Sequence, residues 1–125
     1  MNSMAVTINA VSPKCVCSSE RAKLIGTTDG LFPDFGHHIE KEMGGLWMQP
    51  IKVLDGFWFR FHDLEAENVD TWITADSFTA YPWGNVFDYR GGLGHTKVTI
   101  RRTQLAPDSA PGLVVSYCLR NRSDA

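Results

Sequence analysis

A chain of 125 residues, 43% hydrophobic and 21% charged, has the make-up of one ordinary soluble domain. Its formal net charge of -2 argues against a nucleic-acid partner, which asks for a basic face. No apolar run approaches the roughly 20 residues that a bilayer-spanning helix needs, so no membrane partner is expected either.

Residues 1–20 read as a flexible lead-in, small and polar, with no sustained periodicity and no basic segment of a signal peptide. Three cysteines are an awkward number for a disulfide framework. Cys15 and Cys17 stand too close to bond easily and Cys118 is far off in sequence, so free thiols in a reducing cytoplasm are expected. Cys15-x-Cys17 has the form of a zinc half-site, but the second cysteine pair is missing.

Ala22 to Thr27 predicts a first short strand, closed by the turn residues Thr28-Asp29-Gly30. From Leu31 to Gly45 the pattern dissolves into Gly, Pro, His and acids, with at most a helical turn over Ile39 to Met43 before Gly44-Gly45 stops it. Ile51 to Val53 then leads into Phe57, Phe59 and Phe61, which alternate with Trp58, Arg60 and His62. Period two predicts a half-buried strand with the phenylalanines in the core and Trp58 and Arg60 on the other side. Val69 to Tyr81 is rich in strand-favouring residues, Pro82 to Asn85 reads as a turn, and Val86 to Tyr89 as a short strand. In Thr96 to Leu105, Val98 and Ile100 share one face while Lys97, Thr99 and Arg101 share the other. In Gly112 to Leu119, Leu113, Val115, Tyr117 and Leu119 line one face. Short strands parted by turn residues predict an all-β fold, an antiparallel β-sandwich over residues 21–125. A strong last strand running into Asn121-Arg122-Ser123-Asp124 suggests a sandwich incomplete at its C-terminus, with an open edge through which two copies would pair.

The segments DGLFPDFGHHIEKEMGGLW, PIKVLDGFWF and TIRRTQLAPDSAPGLVVSYCLRNRSD resemble the N-terminal β-sandwich of large bacterial glycosidases, the glycogen-debranching and α-glucosidase-like enzymes of the glycoside hydrolase family 63 type. The resemblance spans roughly residues 24 to 125. In that family a "super-sandwich" precedes an (α/α)6 barrel, and the general acid and base carboxylates belong to the barrel. Glycosidic hydrolysis needs two such groups roughly 5 to 10 Å apart across the bond. No residue here matches the barrel motifs. The resemblance therefore implies a non-catalytic segment of a hydrolase acting on α-glucosidic bonds, with no catalytic residue and no cofactor of its own. Its partners would be an oligosaccharide or α-glucan and a missing downstream catalytic domain.

The candidate substrate-binding residues are Asp34, His37, Glu40, Glu42, Trp47 and Trp83. Each sugar face is apolar and its rim polar, so sugar sites pair a flat aromatic with directional polar groups. Against this stands the plainer role of Trp47 and Trp58 as packing surface for a neighbouring domain. An autonomous carbohydrate-binding module is the first alternative. A small cupin-like metal enzyme is the second, joining His37-His38 and the nearby acids to His62 or His95. Adjacent histidines on an extended segment point to opposite faces, which works against one shared ion. The pair Arg101-Arg102 could bind an anion, with a solvated strand edge as the plainer reading, and Cys118 reads as a packed thiol.

Overall fold

A computed structural model of the chain describes residues 12–32, 43–62, 70–72, 74–90 and 98–122. Among them there are strands and no helix. In chain order the strands are β1 (Lys14–Ser18), β2 (Lys23–Thr27), β3 (Gly45–Met48), β4 (Ile51–Leu54), β5 (Arg60–His62), β6 (Asp70–Trp72), β7 (Ser77–Tyr81), β8 (Gly84–Tyr89), β9 (Val98–Leu105) and β10 (Val114–Asn121). Two antiparallel four-stranded sheets result, in the orders β1-β2-β3-β4 and β10-β9-β8-β7, with β5 and β6 as a separate pair. The fold is all-β and sandwich-like, as the alternating pattern predicts.

Register decides what each face carries. In the first sheet Cys17, Leu24 and Leu46 pair across β1, β2 and β3 and form one inward row. In the second, Phe78, Phe87, Arg102 and Tyr117 form a row across all four strands, flanked by the row Tyr89, Ile100 and Leu119. Strand β1 joins the two sheets. Cys15 packs with Phe87, Tyr89 and Ile100, Cys17 Sγ lies 3.6 Å from the Gln104 carbonyl it donates to, and Asn85 Nδ2 donates to the Val16 carbonyl at 3.3 Å. Small cysteines at these positions let the sheets approach. Burying side chains such as Leu24 and Phe87 contributes about 1.5–3 kcal/mol each.

The hairpin turns follow local chemistry. Tyr81 pairs with Gly84 around the two-residue turn Pro82-Trp83, and Gln49-Pro50, a cis peptide, turns β3 into β4. Gly45 opens β3 at a φ of 106°, and a side chain there would meet the Leu54 carbonyl.

Four sequence expectations take another form. The second half of the expected lead-in holds β1, because Cys15 and Cys17 alternate into the core and give Lys14–Ser18 a buried face. Phe57 to Phe59 is not strand. Phe57 and Trp58 both pack on Phe32, at ring separations of 5.0 and 6.0 Å, while Phe59 crosses to Tyr89 and Tyr117 at 5.0 and 5.2 Å. The segment bridges two apolar clusters, and that demand overrides period two. Val69 to Tyr81 divides into β6 and β7, with the Ala75 N–H between them bonded to the Asp29 carbonyl at 2.7 Å. Cys118 is exposed, because its face of β10 carries no covering layer among the described residues.

Candidate functional site

Asp34, His37, Glu40 and Glu42 lie outside the described residues, as does the expected helical turn over Ile39 to Met43 apart from Met43 itself. The topology makes this stretch the connection between neighbouring strands β2 and β3. Its entry is a tightly bonded turn. Asp29 accepts hydrogen bonds from the Leu31 N–H at 3.0 Å, from Thr27 Oγ1 at 2.5 Å and, on its other oxygen, from Ser12 Oγ at 3.0 Å. Gly30 turns the chain at a φ of 85°, with the Tyr89 hydroxyl standing where a side chain would be.

Arg102 holds that turn from inside the sandwich. It is 2% exposed, and its Nη1 donates to the Gly30 carbonyl at 3.0 Å. The guanidinium stacks 4.1 Å from the Phe87 ring centre and 5.4 Å from that of Phe57, so two aromatic faces stand in for lost water. Arg102 Nε and the Tyr89 hydroxyl have no hydrogen-bond partner among the described residues. Burial pushes the Tyr89 phenol up to about 12, with Arg102 opposing the rise. The same cause, again opposed by Arg102, raises Cys15 to about 11. The expected solvated edge at Arg101-Arg102 is thus corrected: β9 lies between β8 and β10, Arg101 faces solvent and Arg102 faces the core. Parity held the clue, since residue 102 shares the face of Val98 and Ile100.

The return end of the same connection leads to Trp47 on β3. Its indole N–H donates to the Met43 carbonyl at 2.9 Å, and Lys52 Nζ stands 5.7 Å from the ring centre. Trp47 is half-buried and lines a cleft of about 480 Å3 between the β1–β2 turn and the β3–β4 turn. Glu20, Arg21 and Lys23 supply charge on one side, and Gln49 supplies an amide on the other. That volume lies within the range of small-molecule sites. Sequence reasoning named Trp47 but missed Glu20, Arg21 and Lys23, whose turn is brought opposite it only by β2–β3 pairing, Lys23 facing Trp47 directly.

Trp83 is placed elsewhere. It sits on the β7–β8 turn, 53% exposed, stacked on Tyr81 with ring centres 4.9 Å apart and planes 12° from parallel. It does not line the Trp47 cleft. Trp58, expected on an outer surface, packs edge-on against Phe32 within the chain. No group of three or more His, Cys, Asp or Glu able to hold a metal occurs among the described residues, and His37, His38 and His95 lie outside them. No helix among the described residues is long and apolar enough to cross a membrane. No family model matches the chain, and no curated protein or solved structure matches it.

Proposed function

We propose that the chain is a non-catalytic sandwich module of a glycoside hydrolase acting on α-glucosidic bonds, and that the Trp47 cleft contacts the glycan. The observation that carries this reading is Trp47 itself. Its ring is fixed by the bond to Met43 and set in a cleft whose rim offers Glu20, Arg21, Lys23 and Gln49 as donors and acceptors. A pre-positioned indole loses little freedom when a pyranose face stacks on it, while the polar rim engages the hydroxyls. The hydrolytic carboxylates would belong to a downstream domain. An autonomous carbohydrate-binding module draws on the same observation.

Titration with a panel of linear and branched α-glucan oligosaccharides should change tryptophan fluorescence. Trp47→Ala should weaken binding at least about tenfold, a loss of roughly 1.4 kcal/mol. Trp83→Ala should leave it unchanged. A silent panel, or binding lost with Trp83 and kept without Trp47, overturns the reading.

Strand β10 favours a further, bracing role. It is a sheet edge with Val114, Tyr117 and Leu119 exposed, the last by 62%. Unpaired edges with apolar side chains recruit another strand. The isolated chain should therefore self-associate as its concentration rises, and Leu119→Lys should return it to monomer in light scattering. A wild-type chain that stays monomeric throughout removes the edge from the interpretation.

A further inference from the structure

Of the chain's 12 lysines and arginines, four arginines meet in one concavity of about 180 Å3 on the outer face of the β8-β9-β10 sheet. Register assembles them. Arg101 on β9 lies between Asp88 on β8 and Cys118 on β10, and Thr99 on β9 lies beside Arg120 on β10. Arg90 follows β8, where its backbone N–H is bonded to Asp76 Oδ2, and Arg122 follows β10. Asp88 is the single acid in the lining. Four guanidinium groups against one carboxylate is a local excess of positive charge, in a chain whose own net charge is -2.

The acid does not cancel the site. Asp88 takes Arg101 in a two-point fork, Nε at 2.8 Å and Nη2 at 3.2 Å. This contact holds the Asp88 carboxyl below the usual carboxylate range. The fork fixes the Arg101 plane; Arg90 adds a weaker attraction to Asp88, and Arg120 and Arg122 supply positive charge that meets no other carboxylate of the lining among the described residues, with Thr99 as a hydroxyl donor. Arginine matches tetrahedral oxyanions because its planar donors bond two oxygens at once. The concavity is far too small for a duplex backbone, which is bound along an extended basic stripe.

We propose that this groove binds a phosphate group, carried either by free orthophosphate or by a small phosphate ester. It shares no residue with the Trp47 cleft and stands whether or not that cleft takes a sugar.

Cys118 provides the reporter. It is the exposed thiol of the groove, while Cys15 and Cys17 are buried, so a neutral alkylating reagent such as iodoacetamide modifies it first. Orthophosphate and a hexose 6-phosphate are each added against sodium chloride at matched ionic strength. Phosphate should slow alkylation of Cys118 at least threefold where chloride does not, and the double variant Arg120→Gln/Arg122→Gln should abolish the protection. Stronger protection by the ester assigns the site to an ester; equal protection assigns it to the free anion. Calorimetric titration of Cys118→Ser with both anions supplies a second reading independent of thiol chemistry. Equal slowing by chloride, protection that survives in the double variant, or no heat with either anion overturns the proposal.

Discussion

Arg102→Ala is expected to destabilise the protein by about 3–5 kcal/mol, a loss comparable to that of a large core side chain. The side chain fills the row between Phe87 and Tyr117, stacks on Phe57 and Phe87, and satisfies the Gly30 carbonyl at the entry to the β2–β3 connection. Alanine empties that volume and leaves a buried carbonyl without its donor, which is costly beyond the lost packing. Domains have only about 5–15 kcal/mol in total, so this one change removes a large share. Arg102→Met keeps the length and apolar stem, and replacing a buried charge by an apolar isostere is often tolerated. Methionine keeps the packing but leaves the Gly30 carbonyl without a donor, so it should cost about 1–3 kcal/mol, less than alanine. Arg102→Lys should fall between them, since an ammonium cannot lie flat on Phe87. Urea midpoints at constant slope would read the series. If alanine falls within about 1 kcal/mol of the wild type, Arg102 does not organise the core, and methionine tests this even if alanine fails to fold.

Stability should also fall steeply in alkali, through three acids kept neutral by burial. Cys15 is raised from 9.0 to about 11, chiefly by burial, with Arg102 and a backbone bond to Gly26 opposing and Asp29 and Cys17 adding. Tyr89 is raised from 10.0 to about 12 by burial, and Cys17 is raised by burial against a backbone bond to Ala106. Each group holds its proton in the folded chain at a pH where the unfolded chain has released it. Folded then binds more protons than unfolded, and stability falls with rising pH. The contribution is intact below pH 9 and is lost between pH 9 and about 11 for Cys15, and between pH 10 and about 12 for Tyr89. Solvent screening reduces what each gap contributes, and the two side chains share one cluster, so their losses do not simply add. Unfolding in urea, under reductant, from pH 8 upward should show this fall. Cys15→Ala should flatten the slope in the lower window and Tyr89→Phe in the upper one. A stability flat to pH 11 would mean that these groups ionise in place.

The four-arginine groove and the Trp47 cleft differ in how far their residues could be read in advance. Trp47 could be named as a candidate because a large aromatic beside a polar stretch of sequence is a local pattern. The opposing residues Glu20 to Lys23 were not, since they lie more than twenty positions upstream and meet Trp47 only through β2–β3 register. The four arginines stand apart in sequence, on or just beyond β8, β9 and β10, and antiparallel pairing brings that separation into neighbouring positions.

Strand positions were set by the chain's own alternation. Val98, Ile100, Leu113, Val115, Tyr117 and Leu119 mark faces that any pleated segment must present, because successive side chains point opposite ways. The all-β fold follows from residue type and spacing alone, as does a turn within Pro82 to Asn85, which the structure narrows to Pro82-Trp83 because Gly84 and Asn85 already belong to β8. Which face meets a neighbour is a different matter. Arg102 and Cys118 each kept the parity the sequence gives them, yet the arginine is buried and the cysteine exposed. Alternation assigns a side of the sheet, but only the packing of β1 against β8 and β9 assigns water or core to that side. The same holds for Phe57 to Phe59, where two separate apolar clusters compete for one short segment and the contacts they offer outweigh the period-two pattern.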